Sequence, residues 1–87
     1  MNAQEIRSLL EKDKLIIGHN EVREALKQQA VSQVLVASNA EAARAAAIED
    51  YCSMVSVDCV ELEMRNDALG TTCRKPFAIS FLAVKSS

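Results

Sequence analysis

The sequence predicts an α/β fold, in which a sheet with parallel strand pairs carries helices on its faces. Two observations carry this. Segments with apolar residues at i, i+3 and i+4 alternate with short β-branched or apolar runs along the whole chain. The resulting order, αβαβαβαβ, favours strands joined through helices that pack back on the sheet. Length agrees: 87 residues with 49% hydrophobic content are one domain with ample material for a core.

Ile6, Leu9 and Leu10 set a helix near 3–12, which Lys12-Asp13-Lys14 breaks. Leu15-Ile16-Ile17, ending at Gly18, reads as a buried strand. Val22, Ala25 and Leu26 repeat the helical spacing over 20–29, with Asn20 or His19 as the expected cap. The β-branched stretch from Val31 to Ala37 predicts a second strand. Ser38 and Glu41 match a capping box ahead of a helix over 39–54, whose face is Ile48, Tyr51, Cys52 and Val55. Its alanines are strong helix formers and small enough for close packing on a sheet. Val57 to Leu62 is a third strand. Asn66-Asp67 offers an N-cap for a short helix over 67–73, Pro76 lies beyond its end, and Phe77 to Val84 is the fourth strand. Lys85-Ser86-Ser87 reads as a polar end that frays.

The apolar runs are too short to span a bilayer, and the first residues lack the apolar stretch of a signal peptide. A soluble, cytoplasmic protein is expected. Cys52, Cys59 and Cys73 show no C-x-x-C spacing, so they read as free, buried thiols rather than as a structural zinc site. The net charge of −2 is unlike a generic nucleic-acid coat, but its distribution is uneven. Residues 41–63 hold six acids and one base, Arg44, while 14–27 and 65–77 together hold six bases and three acids. Charge alone is better explained by solvated faces.

Two stretches carry candidate chemistry. Gly18-His19-Asn20-Glu21 lies at a strand-to-helix junction, where a helix start offers unpaired N–H groups to an anion. Asn20 both donates and accepts, and the Glu21 carboxylate suits the N1–H and N2–H₂ donors of an unpaired guanine edge. Taken alone, these two residues favour an ordinary role in capping the helix. Arg74-Lys75-Pro76-Phe77 places two cations before a rigid proline and an aromatic ring. Phe77 either begins a strand in the core or stands exposed to stack on a base. An enzyme is not expected: there is no Gly-rich phosphate loop, nucleophile elbow or metal motif, and a cysteine acting with His19 has no third orienting group. No cofactor is called for.

The chain resembles the ribosomal L-seven-Ae / L-thirty-e superfamily of kink-turn RNA-binding proteins, and looks closest to its archaeal L-thirty-e branch. Residues 14–21 (Lys-Leu-Ile-Ile-Gly-His-Asn-Glu), 34–39 (Val-Leu-Val-Ala-Ser-Asn), Leu69-Gly70, and 75–80 (Lys-Pro-Phe-Ala-Ile-Ser) followed by Leu82-Ala83-Val84 carry the resemblance in family order. It implies a three-layer α/β/α sandwich with a four-stranded mixed sheet. It further implies that Asn20 and Glu21 read guanines of tandem sheared G·A pairs, and that the turn at Gly18 lies against the RNA backbone. Lys75, Pro76 and Phe77 would cover an extruded nucleotide. His19, Lys14, Arg23, Lys27 and Arg74 complete the expected RNA-binding set. Two positions depart from the family. Glu24 stands where a lysine is usual, with Arg23 about 100° away around the helix. Arg74 stands where glycine is frequent.

The implied protein binds a structured RNA, a kink-turn or internal loop, as a component of the large ribosomal subunit or another ribonucleoprotein. It has no membrane partner and is monomeric when free. The core protein of a guide-RNA modification particle is an alternative, as is a protein–protein interaction module on the same fold.

Overall fold

The computed structural model describes residues 1–86. Ser87, read above as part of a fraying end, lies outside them. Eight elements follow in the predicted order: α1 (Ala3–Glu11), β1 (Leu15–Ile17), α2 (His19–Lys27), β2 (Val31–Val36), α3 (Ala42–Met54), β3 (Asp58–Glu61), α4 (Asn66–Thr72) and β4 (Phe81–Lys85). The strands form one mixed sheet in the order β1-β4-β2-β3. β2 and β3 run parallel, whereas β1–β4 and β2–β4 are antiparallel. Among the described residues no helix is long and apolar enough to cross a membrane.

The central strands are apolar on both faces because both faces are covered. Val34 and Val36 of β2, with Phe81 and Ala83 of β4, pack against Val22 and Leu26 of α2 and against Ile48 and Cys52 of α3. Their alternate neighbours Leu35 and Leu82 pack on the opposite face with Ile6 of α1 and Leu69 and Cys73 of α4. The result is the α/β/α sandwich. α1 has only nine residues, too few to hold a helix in water without packing. It is anchored by Ile6, which is fully buried, and by an Asn2 Oδ1 cap on the Glu5 N–H.

All four helices end in the same way. Asp13, Gln29, Ser56 and Arg74 each adopt a left-handed conformation, with φ between 55° and 60°, one residue past the helix C-cap. Each closes paired backbone bonds over the last turn, as in Asp13 N to Leu10 O at 3.0 Å and Lys14 N to Leu9 O at 2.9 Å. Glycine is the usual residue at this position because it carries no Cβ penalty. None of the four is glycine here.

The structure corrects several expected boundaries. Ser38 and Glu41 form no capping box. α3 starts at Ala42, Glu41 occupies the cap position without a side-chain bond, and the Ser38 N–H donates to Met64 O at 2.9 Å. The alanines of α3 do not line the sheet as a group: Ala45 is half-buried, while Ala42, Ala43, Ala46 and Ala47 are exposed. Neither His19 nor Asn20 caps α2, because both lie inside its first turn and Gly18 takes the cap position. Likewise Asn66 belongs to the first turn of α4, with Arg65 at its cap position. The fourth strand begins at Phe81 rather than Phe77. Residues 77–80 are held otherwise, with Ile79 N bonded to Asn66 O at 3.0 Å and Ala37 N to Ser80 O at 2.9 Å. At the other end Lys85 and Ser86 are not frayed, since their N–H groups bond Lys14 O at 2.9 Å and Ala30 O at 3.0 Å.

Candidate nucleic-acid interface

The two candidate stretches meet at one end of the sheet, where β1 stops and β4 starts. The Gly18 N–H donates to Phe81 O at 3.1 Å, fixing the turn into α2. Gly18 has φ of 108° and ψ of 150°, a conformation that side chains with a Cβ rarely adopt. A Cβ at Gly18 would also collide with the carboxylate of Glu21, so Glu21 folds back over the turn. No side chain caps α2, and Val22 is the first residue whose N–H bonds back, to Gly18 O at 2.9 Å. Donors at the helix start thus lack a side-chain partner beside an exposed Asn20 and Glu21. The His19 ring packs edge-on against Phe81, with centroids 5.2 Å apart, and secures the first turn to the sheet.

A cleft of about 430 Å³ connects this turn to the Phe77 loop, with Gly18 and His19 on one side and residues 77–81 on the other. Phe77 is 55% exposed, so the stacking alternative matches its placement and the core alternative does not. Its position depends on Gly70. A Cβ there would collide with the Phe77 carbonyl, so only glycine lets the loop backbone lie on α4. The Lys75 N–H closes the same loop onto Gly70 O at 2.9 Å. Lys75 and Pro76 are exposed and, with Phe77, line a shallower cleft on the other side of the ring.

The floor of the cleft holds residues the sequence reading did not select. Asn39 Nδ2 donates to Asn66 Oδ1 at 3.0 Å, and Asn39 Oδ1 accepts from Asn66 N at 2.7 Å. Asn66 Nδ2 reaches Ser80 Oγ at 3.5 Å. This chain of amides ties the end of β2 to α4 and to the entry of β4. Arg44, paired with Glu41 at 3.8 Å, completes the lining. The available signal was slight: Asn66 reads as a helix cap, and Asn39 as the first residue of the helix expected over 39–54.

The expected cations scatter. Arg74 turns toward α1 and pairs with Glu11 at 3.8 Å. Lys27 lies at the far end of α2, about 12 Å along its axis from the helix start, and pairs with Glu24 at 3.5 Å. Lys14 precedes β1 and so stands about 13 Å along the strand from Gly18. Asn20, Glu21 and Glu24 line one shallow face with Ile16, and Arg23 lies outside it. The face that holds Asn20 and Glu21 therefore also carries Glu24, the acid noted above as a departure from the resemblance.

The thiols are elsewhere. Burial pushes the Cys52 thiol up to about 12, with the neighbouring Cys59 and Glu49 adding to it. Burial raises Cys59 and Cys73 as well. No cysteine lines the cleft that contains His19, so the two do not form a nucleophile–base pair there.

Comparison with known proteins agrees with this architecture. The chain matches the ribosomal protein L7Ae/L30e/S12e/Gadd45 family over residues 2–87. It is 31% identical over 80 residues to the large ribosomal subunit protein eL30 of Saccharolobus solfataricus, covering 92% of this chain and 74% of that protein. A solved structure of a protein with unknown function from Bacillus halodurans C superposes with a TM-score of 0.83 at 19% identity, over 91% of this chain and 78% of that one.

Proposed function

Because the chain belongs to the ribosomal protein L7Ae/L30e/S12e/Gadd45 family, we propose that it binds a kink-turn or related internal loop of RNA as a component of the large ribosomal subunit. In this reading it works in the cytoplasm, as a monomer when free of RNA. One observation carries the proposal. A single cleft joins the uncapped start of α2 to an exposed Phe77 held out by Gly70, while Asn20 and Glu21, in the first turn of the same helix, line a separate shallow face. Asn20 donates to and accepts from the free edges of sheared guanines, and the Glu21 carboxylate accepts from their N–H donors. Phe77 stacks on a base that leaves the helix, and Lys75 and the α2 N–H groups meet phosphates. Phosphate contacts position the RNA while the base contacts specify it.

The test is a titration with a kink-turn RNA carrying tandem G·A pairs, beside a copy in which those pairs are Watson–Crick. Selective binding to the first is expected. Glu21→Ala and Phe77→Ala should each weaken it by ~1–3 kcal/mol. Equal binding to both RNAs, or to neither, overturns the proposal.

A further inference from the structure

The far edge of the sheet carries a second surface. β3 is the terminal strand, so one side of its backbone faces no other strand. Leu62 N bonds Val36 O at 2.7 Å, and Val36 is in register with Glu61. In a parallel ladder alternate residues bond the neighbour, so Cys59 and Glu61 turn their N–H and C=O groups outward. A cleft opens on each side of this edge. One runs between β3 and the start of α1, and the other between β3 and α3; Glu61 lines both. Neither contains a lysine or arginine.

The charged side chains lining these two clefts are all carboxylates. Glu11, Asp13, Glu24, Glu41 and Asp67 each pair with a lysine or arginine within 4.0 Å. Seven acids have no such partner among the described residues; Glu5, Glu49, Asp58, Glu61 and Glu63 belong to β3, to its continuation or to the two clefts beside it, while Glu21 and Asp50 lie on α2 and α3. Carboxylates along an open edge repel the same edge of a second copy, which rules against pairing between identical chains. They attract a strand of opposite charge, whose backbone can bond the outward groups of Cys59 and Glu61.

We propose that the free edge of β3 binds an extended lysine- or arginine-rich segment of a partner protein, added to the sheet as a fifth strand. Backbone bonds to Cys59 and Glu61 hold the segment. Its cationic side chains, projecting alternately to the two faces, enter the acidic clefts on either side. This surface lies at the opposite sheet edge from β1 and is independent of the RNA cleft.

The experiment uses the whole chain and a labelled peptide of about twelve residues in which Lys-Lys pairs alternate with Val-Thr pairs, so that lysines project to both faces, beside its glutamate counterpart. The lysine peptide should bind, more weakly as salt is added, and the glutamate peptide should not. Amide-exchange protection should appear at Cys59 and Glu61, with chemical-shift changes confined to the β3 edge and its clefts. Glu61→Lys or Glu63→Lys should weaken peptide binding by about tenfold or more. Absence of binding, binding indifferent to both substitutions, shift changes mapping to the Phe77 cleft, or self-association of the chain through β3 would each overturn the proposal. Mapping on the unsubstituted protein decides the case even where a variant folds poorly.

Discussion

Gly70→Ala separates the packing argument from the binding argument. The new methyl group meets the Phe77 carbonyl, and a backbone oxygen has no rotamer by which to escape. Either α4 or the loop over residues 74–79 must move. Overpacking of this kind costs about 1–3 kcal/mol. Replacing a helical glycine by alanine returns about 1 kcal/mol in propensity. A net loss of up to about 2 kcal/mol follows, which for a domain of this size lowers the melting temperature by up to roughly 16 °C. The loop shift also displaces Phe77, so RNA affinity should fall by the worth of one stacked base, ~1–3 kcal/mol or about 5- to 150-fold. Urea denaturation gives the first quantity and fluorescence anisotropy with a tandem-G·A kink-turn gives the second. Phe77→Ala is the control. Its ring is 55% exposed, so its stability should stay within about 0.5 kcal/mol of the parent while affinity falls equally. A Gly70→Ala variant that melts and binds like the parent would refute the account of how the loop is held.

Glycine at the helix ends should stabilise the chain. Gln29→Gly and Ser56→Gly each relieve a left-handed residue, for about 0.5–1 kcal/mol apiece, and the gains should add because the sites are separate. Asp13→Gly and Arg74→Gly should gain less, since they also lose the exposed pairs with Lys85 and Glu11, each worth ~0–1 kcal/mol. Unchanged urea midpoints in all four would show that the left-handed turns carry no strain. A different variable tests the buried thiols. An unfolded thiol ionises near pH 8.5, whereas Cys52 in the folded chain holds its proton to about 12. The folded pKa is the higher one, so this stability is fully present below about pH 8.5 and is lost as pH rises through 12. Urea midpoints followed from about pH 8 to pH 11 should fall less steeply in Cys52→Ala than in the parent. Parallel curves would remove Cys52 as a source of the alkaline loss.

The order and type of every element were legible because each buried face repeats at the period of its own secondary structure. Leu15-Ile16-Ile17 and the Val34–Ala37 run are apolar on both faces because the sheet is covered twice. What was not legible is what depends on partners distant in sequence. Ser38-x-x-Glu41 has the local form of a cap, but Ser38 and Asn39 are committed to Met64 and Asn66 across the fold, so α3 starts later. Phe77 has the composition of a strand residue, yet its backbone lies on Gly70 and the chain does not join β2 until Phe81. The C-terminal helix ends were found by loss of period and not by their usual glycine, because the chain has two glycines and neither sits at such an end. At the candidate site, Gly18, Asn20, Glu21 and Phe77 are singled out by motif order. Lys14 and Lys27 were grouped with them by proximity in sequence, which a strand and a helix then extended away from the cleft.

Net charge is a poor guide to whether such a chain can hold RNA, and two substitutions show why. Glu24→Lys and Glu61→Lys each move the net charge by the same amount from −2, so a response to total charge would be equal. Their positions differ. Glu24 lines the face shared by Asn20 and Glu21 beside β1, and Glu61 lies on β3 at the other edge of the sheet. Three strand spacings separate β1 from β3, or about 14 Å. At that distance one unit charge acts on another with about 0.3 kcal/mol in water, before a Debye length of about 8 Å reduces it several-fold. A charge about 4 Å from a phosphate is worth about 1 kcal/mol in the same medium. Glu24→Lys removes one such repulsion and adds one attraction. It should strengthen kink-turn binding by roughly 10-fold or more and steepen the salt dependence by about one unit of slope. Glu61→Lys should leave both within about twofold of the parent. Affinities measured at two salt concentrations decide the point. Equal gains from the two variants would mean that the RNA responds to the charge of the whole molecule, and that the face beginning at Asn20 and Glu21 is not where it binds.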